Sequence, residues 1–188
     1  VNQGSDIYTI TPDGTGARNL TNNPAADNRN PAWSPDGSRI AFGATPKSAK
    51  GIWSVDPDGG NLRHIVGRAY GMDPTEHAIV DPVAFAIEYC EDPTWSPGGR
   101  RVAFSYQRFV IGPRLGLAAT APLQIAVVDA DGGDPVVVTH SPTNKYDPYW
   151  APDGRQVAYT TGQVDPDREA PGSMTSASMT SPQVPTSR

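Results

Sequence analysis

The sequence predicts an all-β fold, and three observations carry that expectation. A Trp-x-Pro-x-Gly segment occurs three times without an internal gap: NPAWSPDGSRIAF at 30–42, DPTWSPGGRRVAF at 92–104 and DPYWAPDGRQVAY at 147–159. A second segment recurs as well: DIYTITPDGTGARNLT at 6–21, GIWSVDPDGGNLRHIV at 51–66 and QIAVVDADGGDPVVVT at 124–139. The 19 Gly and 20 Pro make up about a fifth of the 188 residues, and Asp outnumbers Glu 16 to 4. These are turn and cap residues, which leave little room for long helices.

Each segment reads as a β-hairpin. In the first kind, Ser34-Pro35-Asp36-Gly37 places Pro where its fixed φ suits a turn and Gly where left-handed backbone is needed. Short stretches of strand formers flank it at 31–33 and 39–42. In the second kind, Ile52 and Val55 precede the turn Pro57-Asp58-Gly59-Gly60 and 62–66 follow it, with equivalent turns at 12–15 and 130–133. The two kinds alternate strictly. One of each gives four antiparallel strands in about 40 residues, the size of a propeller blade. Residues 1–162 are therefore expected to form about three blade equivalents. The Ser/Thr/Pro-rich 163–188 has no hydrophobic period and is expected to be a disordered tail.

Trp33, Trp95 and Trp150 recur, each followed eight residues later by an Ala (Ala41, Ala103, Ala158) and then an aromatic (Phe42, Phe104, Tyr159). A large ring and a small residue at the same place in every unit suit sheets stacked face to face, with the indoles filling the seams. The W-S-P-D-G-x-x-I-A-F pattern and the D-x-D-G-G turn resemble the TolB-like β-propeller repeat, a WD-like repeat, over residues 6–160. Gly98 in place of the turn Asp and Ala151 in place of Ser are the departures. A closed ring takes about four to eight blades, and the resemblance implies six or more. Two arrangements are open: a piece of a longer propeller, or two copies joined head to tail into a six-bladed ring. The initial Val, with a strand-like pattern by Asp6 and no signal peptide in view, leads to the expectation of a processed product or a fragment.

Two intervals break the repeat. Ile52 and Trp95 are 43 residues apart, where the other copies have 26 and 25, so about 17 extra residues fall between 67 and 91; about 11 more fall between Phe104 and Ile125. With strands running outward from the channel, both insertions fall on the rim opposite the tight turns, and that rim becomes the expected working face. The first insertion is acidic, with Asp73, Glu76, Asp81, Glu88 and Glu91 against Arg68. It reads either as a solvated loop face or as a negative surface for a cationic partner or a metal. Asn30, Asp92 and Asp147 each precede Pro at the expected start of an innermost strand. They read either as local turn caps or as a polar ring at the channel mouth that receives a peptide's backbone or amino terminus.

Other chemistry lacks a signature. The net charge of −5, with no block of Lys or Arg, gives no footprint for nucleic acid or an anionic membrane, and no apolar run reaches a membrane-spanning length. His64, His77 and His140 occupy non-equivalent positions, so neither metal nor cofactor is expected. The Asp56/Asp58 and Asp129/Asp131 turns lack the closing Glu of a calcium loop. There is no G-x-S-x-G elbow, and the lone Cys90 reads as a packed thiol.

The expected function is a non-catalytic scaffold that binds a protein or peptide at the insertion-bearing rim and channel mouth. The resemblance implies a periplasmic or extracellular location and partners such as envelope lipoproteins. The alternatives are the propeller portion of a larger peptidase of the prolyl oligopeptidase or tricorn type, or a metal-dependent polysaccharide lyase.

Overall fold

Tight turns fix where the strands end. The Gly37 N–H donates to the Ser34 carbonyl at 2.9 Å and the Ser34 N–H to the Arg39 carbonyl at 2.8 Å. Gly37 sits at φ 70°, and its counterparts Gly99 and Gly154 at 67° and 70°. This left-handed backbone costs a residue with a Cβ about 1–2 kcal/mol, hence the repeated glycine.

The computed structural model describes residues 4–23, 25–45, 50–67, 85–112, 116–119 and 122–162, and all of its regular elements are strands. A hairpin of β1 (Tyr8–Thr9) and β2 (Arg18–Asn19) comes first. The strands β3 (Asn28–Trp33), β4 (Ile40–Ala44), β5 (Gly51–Val55) and β6 (Arg63–Val66) form an antiparallel sheet in that order, a complete blade. The second blade follows with β7 (Phe85–Trp95), β8 (Arg101–Gly112), β9 (Gly116–Ala119), β10 (Gln124–Asp129) and β11 (Val136–Val137), ordered β11-β10-β8-β7 with β9 on the far half of β8. A last hairpin, β12 (Asn144–Trp150) and β13 (Val157–Gly162), is the inner pair of a third blade. The inner strand β7 touches both β3 and β12, as inner strands around a shared axis do.

The two-residue period of a strand sends neighbouring side chains into opposite seams. On β4, Ile40 and Phe42 pack with Ile7, Leu20 and Val55 against the β1–β2 hairpin. Between them Ala41 joins Ile52, Val66, Trp95 and Phe104 in the seam with the second blade. On β8, Phe104 turns back into that seam, while Ala103 meets Trp150 and Ile125 in the next. The small Ala is therefore the floor on which the following blade's indole rests. Phe42 and Phe104 are fully buried, and each contributes about 1.5–3 kcal/mol by leaving water.

Three expectations are corrected. Trp95 and Trp150 fill seams at 6% and 8% exposure, but Trp33 is 54% exposed. Each indole packs on the preceding blade's inner pair, and no described strand offers Trp33 that surface. The intervals 67–91 and 105–123 are not simply loops. Residues 85–91 extend β7 and 105–112 extend β8, paired from Phe85↔Ile111 to Glu91↔Ser105, and β9 pairs from Phe109↔Ala119 to Gly112↔Gly116. The aromatic and β-branched residues of FAIEYCE and SYQRFVIG suit a pleated sheet. Glu88 and Glu91 accordingly sit on a strand. Lastly, Asn30, Asp92 and Asp147 lie inside β3, β7 and β12, not at their starts. The tail 163–188 falls outside the described residues.

Candidate functional site

The three repeated residues before Pro share one backbone feature. Asn30, Asp92 and Asp147 have φ of 55°, 54° and 49°. At each the ladder slips: between Arg29 and Ala32, between Glu91 and Thr94, and between Tyr146 and Tyr149. The cause is local. Proline has no N–H to give the ladder and keeps the preceding residue out of the right-handed helical region, so a bulge forms. Asn and Asp are the side-chain-bearing residues that tolerate left-handed backbone best.

The bulges bring two of the three side chains together. Asn30 Nδ2 donates to Asp92 Oδ1 across the seam between the blades, and Ser105 Oγ donates to Asp92 Oδ2 at 3.2 Å. The Asp92 carboxylate thus has an acceptor in use on both oxygens. Asp147 is exposed and has no hydrogen-bond partner among the described residues. Of the acidic rim set, Asp73, Glu76 and Asp81 lie outside the described residues, as does His77. Glu88 accepts a hydrogen bond from the Tyr106 hydroxyl at 3.0 Å.

The position two residues before each bulge was not anticipated as special. Asn28, Cys90 and Lys145 occupy it, and all are buried. Lys145 is 5% exposed. Its Nζ donates to Ser141 Oγ at 2.9 Å, the Thr143 carbonyl at 3.1 Å, Thr161 Oγ1 at 2.9 Å and Thr143 Oγ1. A cation held by hydroxyls and a carbonyl is solvated by the protein itself. Repeat alignment would have exposed this position, because its neighbours align without gaps. Cys90 fits its expected packed role, since burial pushes its thiol up out of the reactive range. Burial also lowers the His64 imidazole below its ordinary value. Among the described residues no group of three His, Cys, Asp or Glu is placed to hold a metal ion.

The outer face of the seam carries a second constellation. The Arg39 guanidinium lies over the Trp95 ring at 4.9 Å, and its Nη1 reaches the Ala130 carbonyl at 3.3 Å and Asp131 at 3.4 Å. Trp95 Nε1 donates to the Ala32 carbonyl at 3.0 Å. One blade along, Arg101 lies over Trp150 at 5.4 Å. Two clefts open there: one of about 600 Å³ between β10–β11 and β12–β13, bounded by Arg101, Val136, Val157 and Tyr159, and one of about 500 Å³ on the far face of β12–β13, bounded by Tyr149, Gln156 and Ala158.

Four-stranded antiparallel blades stacked through indole seams, with inner strands gathered about an axis, define a β-propeller protein. No family model matches the chain. It is 38% identical over 74 residues, 38% of its length, to the Tol-Pal system protein TolB of Zymomonas mobilis, of which the match covers 16%. A solved structure assigned to TolB of Agrobacterium tumefaciens superposes with a TM-score of 0.61 at 23% identity, over 86% of this chain and 47% of that one. An oligogalacturonate lyase in complex with manganese aligns at 16% identity over 79% of this chain and 48% of that one, with a TM-score of 0.36, too low to bear on chemistry. The likeness shows a TolB-like β-propeller fold, and the chain spans about half the length of the TolB structure it matches. Among the described residues no helix is long and apolar enough to cross a membrane.

Proposed function

We propose that this chain is a non-catalytic propeller scaffold that binds an extended peptide or protein segment at the inner edge of its blades, in a periplasmic or extracellular setting. The observation that carries the reading is the line of bulged residues Asn30, Asp92 and Asp147. Left-handed backbone sets three polar side chains on adjacent inner strands, and one of them, Asp147, has no hydrogen-bond partner among the described residues. Carboxylates at a channel wall attract an ammonium group, and the wall excludes enough water to strengthen that attraction. The acidic Asp73, Glu76 and Asp81 would extend the same negative field along the rim. The similarity to a Tol-Pal system protein favours a protein partner over a small metabolite.

The test is a titration with short unstructured peptides carrying either a free or an acetylated amino terminus, followed through the amide resonances of Asn30, Asp92 and Asp147. Binding of free-amine peptides that weakens in the Asp92→Asn/Asp147→Asn variant supports the inner-edge site. Equal binding by that variant refutes it. The Asp73→Lys/Glu76→Lys/Asp81→Lys variant measures the rim's share.

A further inference from the structure

We propose that the Asp131-Gly132 step, in the outer turn of the second blade, is a site of spontaneous backbone modification, where aspartate isomerises to isoaspartate ahead of every other Asp-Gly step in the chain. The chemistry needs neither enzyme nor cofactor. The Gly132 nitrogen attacks Asp131 Cγ, the amide proton and the carboxyl hydroxyl leave as water, and a five-membered succinimide closes. Water then opens the ring. Breaking the bond to Cγ restores aspartate, whereas breaking the bond to the main-chain carbonyl carbon of Asp131 routes the chain through the side chain. One water leaves and one returns, so nothing is oxidised or reduced and the mass is unchanged.

The chain has five Asp-Gly steps, beginning at Asp13, Asp36, Asp58, Asp131 and Asp153. Glycine puts no Cβ in the path of ring closure, so all five share the intrinsic tendency. All five aspartates are exposed. In all five turns the glycine N–H donates to the carbonyl three residues back, that of Thr11, Ser34, Asp56, Asp129 or Ala151, at 2.9 Å. Neither solvent access nor engagement of the attacking nitrogen separates them.

The carboxyl does. Asp13 Oδ1 accepts from the Thr15 N–H at 3.0 Å, from the Thr15 hydroxyl at 2.8 Å and from the Thr11 hydroxyl. Asp36 Oδ1 accepts from the Ser38 N–H at 3.0 Å and from the Ser38 and Ser34 hydroxyls at 2.8 and 2.7 Å. Asp58 and Asp153 each accept from the N–H two residues on, Gly60 at 2.8 Å and Arg155 at 2.9 Å. Such a bond fixes the side-chain torsions, and ring closure must break it before Cγ can swing onto the glycine nitrogen. Donation led by the Thr11 hydroxyl for Asp13 and by the Ser34 hydroxyl for Asp36 also holds those two carboxyls down at about 2. Less of the acid form that loses water is then present at neutral pH.

Among the described residues Asp131 accepts no hydrogen bond from its own turn. The residue two on is Gly133 at φ 133°, left-handed backbone that Thr15, Ser38, Gly60 and Arg155 do not adopt. Arg39 Nη1 is its partner, at 3.4 Å from a carboxylate 87% exposed, a long contact for which water competes. The first blade already stands against this turn, through Arg39 and through the Ile65 carbonyl, which a Cβ on Gly132 would meet at 3.1 Å. Isoaspartate adds a methylene to the main chain at that close approach, and the outer edge of the seam is expected to loosen.

Ageing the 188-residue chain at neutral pH and physiological temperature tests this, with peptide mapping by an endoprotease that cuts before aspartate but not before isoaspartate. The expected result is isoaspartate at 131 at several-fold the rate of each other step, with the five rates drawn together when the chain is aged in guanidinium chloride. Even accumulation in the folded chain, or another step ahead of 131, overturns the proposal. So does an equal lead for 131 in the unfolded chain, which would trace it to sequence alone, and so does isoaspartate at 131 only after unfolding. Thr11→Val/Thr15→Val removes two exposed hydroxyls from Asp13 and is expected to raise the rate there several-fold. An unchanged rate at 13 contradicts the tethered carboxyl as the cause. Asp131→Glu keeps a carboxylate for Arg39 but needs a slower six-membered closure, and is expected to abolish the product at 131.

Discussion

The Arg39 guanidinium sits 4.9 Å from the centre of the Trp95 ring while the indole N–H of that Trp donates to the Ala32 carbonyl at 3.0 Å. One residue of the second blade is thus gripped by the first from β3 and from the turn that leads into β4, through its polar edge and through its π face. With Ala41 beneath it, the ring is buried without an orphaned donor.

Removing that ring opens the seam. Trp95→Ala is expected to destabilise the chain by about 3–5 kcal/mol, the usual cost of deleting a large core side chain. Trp33→Ala stays within about 0.5 kcal/mol because more than half of that ring's residue is open to water. Urea unfolding of both variants checks the contrast.

The cation contributes less than the ring. Arg39→Ala is expected to cost about 1–2 kcal/mol through the lost stacking and the bared indole. Asp131→Ala costs under about 1 kcal/mol, since that carboxylate is 87% exposed and its ion pair is long. A double-mutant cycle on the two residues measures their coupling.

At the bulges, backbone and side-chain effects separate. Asp147→Gly is expected to be neutral or slightly stabilising, because the position is left-handed and its side chain lacks a partner. Asp147→Val costs about 1–2 kcal/mol in strain. Asp92→Ala costs about 1–3 kcal/mol by a different route: it strips the acceptor from Asn30 and from the buried Ser105 hydroxyl. Thermal unfolding of the three variants gives the order.

Acid should loosen the turns. Hydrogen bonds from the Ser34 hydroxyl, then the Ser38 N–H and hydroxyl, pull the Asp36 carboxyl down to about 2. The Thr11 hydroxyl and then the Thr15 N–H and hydroxyl do the same for Asp13, also to about 2. The folded pKa lies below the ordinary value of 3.8. The stabilisation is therefore fully present above about 3.8 and is lost as pH falls through about 2. Asp36→Asn should flatten the stability profile between those two pH values, read as urea midpoint against pH.

Much of the fold is legible in the sequence because turn chemistry is local. Ser34-Pro35-Asp36-Gly37 folds where it stands, and its copies fold the same way. The exposure of Trp33 is not local: the residue is chemically the same as Trp95, and only the presence of a preceding inner pair distinguishes them. The extensions of β7 and β8 escape notice because they occur in a single unit, so repetition cannot flag them, and their acidic residues suggest loop. Asn30, Asp92 and Asp147 stand out by recurrence, yet their left-handed backbone shows only in φ, since the Pro after each is equally compatible with a turn. Lys145 was hidden by chemistry, because an ammonium solvated by Ser141, Thr143 and Thr161 has no opposite charge to announce it.

The central claim is that indoles fill the seams between radially stacked blades. Hydrogen exchange at the Trp95 indole N–H tests it most directly. The seam predicts exchange only through global unfolding, at a rate that tracks urea concentration as unfolding does. Exchange at the rate of a free indole in native buffer would contradict the seam and the blade arrangement built on it.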